Sequence, residues 1–351
     1  MILQKALVCL VLMMTTATSS TLTCPCKLSA VDDRTIADCA NLDLLEVPSC
    51  VPNDTTILEF SGNNVPELDT NVVVHMPQLR HLDADRSHIT SVSVTAFTAT
   101  PELRKVQLSH NNIRQIPAGL FDATPLLEVV VLSGNMLYSL PRGLFKKVPH
   151  LRRLELNSNY LSTLPDDLLA GCGQQAVLRV GTNHLTTLPA PLISSCSSMV
   201  ELDASSNEMR VLPVDVVAAI GQLSHLDTLR LHDNPWQCDC TLSPLAELLQ
   251  THDSLDQQLT CDGPRAVRER HVVHVVSGLD CAPQNSTMPP AVREPHRGHP
   301  PATTGTNVGT IVVVALVVTC CTIAAVGAFF TVRRHRRKAV DKSGLLVTED
   351  A

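Results

Sequence analysis

Ten cysteines lie between positions 24 and 281, and their spacing limits what chemistry they can do. Cys24, Cys26, Cys39 and Cys50 cluster at one end, Cys238, Cys240, Cys261 and Cys281 at the other, and Cys172 and Cys196 stand between. Two Cys-x-Cys pairs raise the question of zinc, but zinc sites leave two to four residues between paired cysteines. An even number in a secreted chain reads instead as a disulfide set. His271 and His274 flank Val272-Val273 and read as a strand at the edge of the last cluster rather than as a ligand pair. No H-E-x-x-H, G-x-S-x-G, G-x-x-x-x-G-K or kinase motif set is present, so no residue is assigned a catalytic role and no metal or cofactor is expected.

The ends of the chain set the compartment. Lys5, an apolar run from Ala6 to Met14 and small residues at Ala17 and Ser19 read as a secretory signal peptide over 1–20. Ile311 to Val332 carry no charge and are long enough for one transmembrane helix (310–332). Arg333, Arg334, Arg336, Arg337 and Lys338 follow, which predicts a cytoplasmic tail over 333–351 and an N-terminus outside, a single-pass type I plasma-membrane protein. Asn53-Asp54-Thr55 and Asn285-Ser286-Thr287 are glycosylation sequons, at Asn53 and Asn285. From Ala282 to Gly309 the chain is rich in Pro, Thr and His and reads as an extended stalk (282–309). The formal charge is −7; the signal contributes +1 and the tail +3, leaving −11 on the remainder. So acidic an exterior argues against nucleic acid or heparin as the main partner, although a local basic spot is compatible with it.

The elements that must position these groups come from a repeat. The pattern L-x-x-L-x-L-x-x-N-x-L recurs, for example as Leu103-Val106-Leu108-Asn111-Ile113 and Leu151-Leu154-Leu156-Asn159-Leu161. Its ninth position falls at Asn63, Ser87, Asn111, Asn135, Asn159, Asn183 and Asn207, each 24 residues after the last, and then at Asn234 after 27. Eight repeats follow, starting near Thr55, Leu79, Leu103, Leu127, Leu151, Gln175, Met199 and Leu226 (55–233). One copy is too short to bury its leucines, whereas stacked copies share a core. The buried ninth-position amide can bond the backbone of neighbouring coils in a ladder, in which Ser87 is expected to make fewer bonds. Phe97, Phe121 and Phe145 share position nineteen and predict an aromatic spine, continued by Leu169, Ile193 and Val217.

This pattern resembles the extracellular leucine-rich-repeat receptor family, and the start Asn234-Pro235-Trp236-Gln237-Cys238-Asp239-Cys240 resembles that family's C-terminal cap. The layout is also similar to that of variable lymphocyte receptors. The resemblance implies an α/β leucine-rich-repeat solenoid, a horseshoe with a parallel concave β-sheet and disulfide caps at 21–54 and 234–281. It further implies Cys238–Cys261 and Cys240–Cys281 pairing; the three pairings of the N-terminal cap stay open. Ser243 reads as the cap of a short helix with Pro244 in its first turn. Cys172 and Cys196 hold position twenty-two of adjacent repeats. A bridge is conceivable there, but a convex spacing wider than the strand spacing favours two buried thiols.

Strand alternation aims positions three and five at the concave surface. Most are polar, but Val129 and Val131, with Val177 nearby, are not, so a binding centre is expected at Val129, Val131, Arg153 and Glu155, flanked by Lys105 and Arg179. The expected function is a non-catalytic surface receptor or co-receptor for a protein ligand or another cell-surface protein, in immune recognition or cell contact. A homophilic adhesion molecule and a non-signalling decoy are the alternatives. In the tail, Asp341 with Leu345 and Leu346 resembles an acidic dileucine signal for a clathrin adaptor. Antibody-feeding uptake checks it: Leu345→Ala with Leu346→Ala should slow internalisation, and an unchanged rate would leave the tail as a membrane stop alone.

Overall fold

The computed structural model describes residues 24–170, 172–251 and 258–281. The expected signal, stalk, membrane segment and tail lie outside the described residues, as do Asn285, Asp341, Leu345 and Leu346; among the described residues, no helix is long and apolar enough to cross a membrane. One ten-stranded sheet runs through the molecule. It opens with an antiparallel hairpin, β1 (Lys27–Val31) and β2 (Arg34–Asp38). A parallel series follows: β3 (Ile57–Glu59), β5 (His81–Asp83), β7 (Lys105–Gln107), β8 (Val129–Val131), β9 (Arg153–Glu155), β10 (Ala176–Arg179), β11 (Met199–Asp203) and β12 (Thr228–Arg230). Between them, β4 (Glu67–Leu68) and β6 (Ser91–Val92) form a separate two-stranded ribbon.

The strands pair in register, so each repeat position becomes a row across the sheet. The middle row, from Ala37 through Leu58, Leu82, Val106, Val130, Leu154, Leu178 and Leu202 to Leu229, is buried throughout. The residues on either side face the concave surface, as alternation requires. Among the described residues the α-helices are α1 (Ala190–Ser194), α2 (Val214–Gly221), α3 (Ser243–Thr251) and α4 (Val272–Ser277), all in the C-terminal half.

The ninth-position asparagines form the ladder. Asn159 Nδ2 donates to the carbonyls of Leu132 and Leu156 at 3.0 and 2.9 Å, and its Oδ1 accepts from the Leu137 N–H at 3.0 Å. Asn135, Asn183, Asn207 and Asn234 repeat this arrangement. The carbonyls of Leu108, Leu132, Leu156, Val180 and Ala204 therefore each accept two amide hydrogens, one from their own repeat and one from the next. The residue before each rung, from Gly62 and Arg86 to Ser206 and Asp233, has positive φ. For Thr182, β-branched at φ 54°, this is a costly conformation. Ser87 makes fewer bonds than the asparagines, as expected. Its hydroxyl donates to Phe60 O at 3.0 Å, and its own backbone carbonyl receives the Val65 N–H at 2.9 Å, which the short side chain cannot reach.

Phe97, Phe121 and Phe145 stack with centroids 5.8 and 5.3 Å apart, a buried aromatic column. In the N-terminal cap Cys24 bridges Cys50 and Cys26 bridges Cys39. In the C-terminal cap Cys238 bridges Cys261 and Cys240 bridges Cys281, around Trp236, whose Nε1 donates to Leu231 O at 3.1 Å.

Three expectations are corrected. Cys172 and Cys196 are bridged, because the coils there stand only 5.6 Å apart at Cα and the spacing is no wider than a disulfide needs. His271 to His274 do not form a strand. His271 pairs across to Thr260 and then starts α4, where Val272, Val275 and Val276 are buried on one face and the helix packs on α3. Their i, i+3, i+4 spacing outweighs the strand preference of valine. Ser243 does not cap α3: its Oγ is buried without a partner, and the capping bond lies upstream, where Asp239 accepts from Thr241 N at 2.9 Å.

The ladder predicts unequal costs. Asn159→Ala leaves the buried Leu137 N–H without an acceptor and should cost ~1–3 kcal/mol in chemical denaturation. Ser87→Ala should cost only about 0.5–1 kcal/mol, because Val65 N–H keeps its partner and Asn63 N–H loses only a long bond of 3.4 Å. Equal losses would refute the compensation at Ser87.

Candidate functional site

The concave rows bring together every described residue expected at the binding centre. Lys105, Val129, Arg153 and Val177 follow one another along position three, and Val131, Glu155 and Arg179 along position five. The apolar centre is smaller than expected. Val129 and Val177 are buried, since each sits between longer neighbours in its row: Lys105 and Arg153 for the first, Arg153 and Glu201 for the second. Val131, half-buried between Gln107 and Glu155, is the apolar side chain left open to a partner.

On one side of Val131 the charges are tied to one another. Arg153 contacts Glu155 at 3.1 Å, and Arg179 contacts the same Glu155 oxygen at 3.0 Å. Arg179 also grips Glu201 with two parallel bonds of 3.0 and 3.1 Å, and Arg230 closes on Glu201 at 2.5 Å. Bidentate pairs of this kind fix side-chain geometry. Burial pushes the Glu201 carboxyl up, but the hydrogen bonds from Arg179 and Arg230 outweigh it and hold the group below its usual range. The bond to Glu201 raises Arg179 in turn.

On the other side the charges are unbalanced. Asp38, Glu59 and Asp83 are direct neighbours along position five. Burial, then repulsion from Asp83, pushes the Glu59 carboxyl up. Burial, with Lys105 nearby, lowers His81, whose Nε2 has no partner. Asp38 was missing from the sequence-derived rows because it belongs to the cap, which lacks the repeat motif yet extends the same sheet. A second feature lies on the flank, at position ten: Tyr160 stacks on His184 at 5.8 Å, and His184 Nδ1 meets Glu208 at 2.7 Å. Its signal was the shared position in consecutive repeats. Asn53 is exposed, while Thr55 of the same sequon is buried, its hydroxyl donating to Pro52 O at 2.7 Å.

The two halves should respond to acid with opposite sign. Glu201 has a lowered folded-state value, so its stabilisation is present above the unfolded carboxylate range and lost as pH falls through the folded value. Glu59 has a raised one, so its penalty is present above the folded value and disappears on protonation. In thermal melts at neutral pH, Glu201→Gln should lower Tm and Glu59→Gln should raise it. Both differences should fade once the carboxylates are protonated.

Comparison with known proteins agrees with this architecture. The leucine-rich-repeat family model matches residues 83–137 and 125–174. Leucine-rich repeat-containing protein 3 of Danio rerio is 32% identical over 76 residues, 21% of this chain, and that of Mus musculus is 32% identical over 60 residues, 17% of this chain. The matches span 29% and 23% of those relatives' own lengths. Among solved structures, human 5T4 (Wnt-activated inhibitory factor 1, trophoblast glycoprotein) superposes with a TM-score of 0.61 at 26% identity, over 74% of this chain and 100% of that one. A chain from the octameric complex of Latrophilin 3, Unc5D and FLRT2 gives 0.54 at 24% identity, over 65% of this chain and 76% of that one. The chain therefore carries leucine-rich repeats and folds as a leucine-rich-repeat solenoid with disulfides at both ends.

Proposed function

We propose that this protein is a single-pass type I receptor or co-receptor of the plasma membrane that binds a protein partner on its concave face. The observation that carries the binding role is the arrangement around Val131. It is a half-buried apolar side chain with held charges, Glu155 and Arg179, to one side and unbalanced carboxylates to the other. An apolar centre within a polar, pre-ordered surround is the anatomy of a protein interface. Five disulfides among the described residues fit an oxidising compartment, as does the likeness to a protein named a glycoprotein. The membrane anchor rests on Ile311 to Val332 and the basic run after it.

In this reading Lys105, Val129, Arg153, Glu155 and Arg179 shape the surface around Val131, and no catalysis is involved. Val131→Asp should weaken capture of the partner by at least about tenfold while secretion and melting stay unchanged. Proximity labelling from the full chain on cells, followed by binding measurements on the labelled proteins, checks it. Partner binding that survives in Val131→Asp would move the site off the concave centre.

A further inference from the structure

The edge of the concave sheet where the strands begin carries a charge opposite to that of the chain as a whole. Backbone bonds stack position two of consecutive repeats directly: Arg104 N–H donates to Arg80 O, Glu128 N–H to Arg104 O, and Arg152 N–H to Glu128 O. Lys105 and Arg153 lie beside this row at position three. At positions two and three, four adjacent repeats thus carry five cations and one carboxylate, Glu128, with Arg153 also held by Glu155, in a chain of net negative charge. Arg104 and Arg152 are about half exposed, at 47% and 53% of the side chain. Arg80 is exposed and has no side-chain bond among the described residues.

From this we infer that the leading edge of repeats two to five is a docking surface for a short acidic segment of a protein partner. The inference rests on the concave-face function and adds the chemistry of the partner. Glu128 bridges Arg104 at 2.9 Å and Arg152 at 3.0 Å, which spreads the two guanidinium groups to either side of it and leaves their remaining N–H groups free. Arginine forks match carboxylates bidentately. The overall negative charge does not cancel the patch, because at physiological salt charges more than ~8 Å apart are largely screened.

Extent decides between a short segment and a long polyanion. Strand spacing is ~4.8 Å, so Arg80 to Arg152 span about 14 Å. Beyond Arg152 position two turns neutral at Ala176 and Val200 and then acidic at Asp227. A sulfated polysaccharide chain running along the sheet would leave the cations behind there, whereas a few acidic residues of a peptide fit within the patch.

Fluorescence anisotropy on the purified full-length chain in detergent tests this with three probes: a labelled octapeptide of alternating Glu and Ser, its Lys counterpart, and a heparin octasaccharide. The Glu peptide should bind, weaken as salt rises, and lose about tenfold in Arg104→Glu with Arg152→Glu. Glu128→Gln, which removes the one carboxylate, should tighten it about threefold, a gain that misfolding cannot mimic. Equal binding of the Lys peptide, no gain in Glu128→Gln, or tighter binding of the heparin octasaccharide would overturn the proposal. Val131→Ala, which leaves the charges as they are, separates it from the concave-centre function, since Glu-peptide binding should survive there even when partner capture is weakened.

Discussion

A buried asparagine amide in nearly every coil is the interaction on which the rest of this molecule depends. Each coil must turn sharply away from the sheet, which leaves backbone N–H and C=O groups inside the protein with no strand or helix to satisfy them. The amide meets both needs at once, accepting from one coil and donating to two. Because the carbonyls between Leu108 and Ala204 are shared by successive rungs, the polar interior is a single chain of bonds rather than a set of separate pairs. In-register strands follow from it. Concave rows follow from the strands, and the proposed binding surface follows from the rows.

The period of 24 residues was legible because a stacked solenoid repeats its burial pattern with its chain. Leucines at positions four and six, asparagine at nine and phenylalanine at nineteen fall where their chemistry requires. The concave positions were equally legible as a roster, since alternation alone assigns them. Their mutual contacts were not. That Glu155 would hold both Arg153 and Arg179, or that Val129 would be shielded by its neighbours, depends on side-chain reach rather than on period. The caps were harder still. At Val272 to Val276 local strand preference and helical packing disagree, and packing decides. Asp38 escaped notice for a related reason: it enters the concave row from a hairpin whose sequence follows no repeat.

The concave surface divides electrostatically in two directions. Along position five it passes from the carboxylates Asp38, Glu59 and Asp83 through neutral Gln107 and Val131 to a closed network around Glu201. Across the strands of the first half, Glu59 and Asp83 lie at position five, while Arg80 and Arg104 lie at position two of repeats two and three. A partner approaching this face meets a field with a defined direction, which selects its orientation before any contact forms. The closed network has a different part to play. Its charges are already satisfied by one another, so it holds shape, and the unbalanced half is the part of the face whose charge remains open.

The bridge between Cys172 and Cys196 changes how the solenoid would bear a load. A stretched repeat of 24 residues lengthens to about 80 Å of extended chain. The loop closed by this bridge also spans 24 residues, so one full repeat is withheld from extension. With each cap also cross-linked, the freely extensible chain among the described residues is confined to two stretches, one before Cys172 and one after Cys196. A solenoid pulled from its two ends would thus give way in two separate lengths, with a fixed link between them.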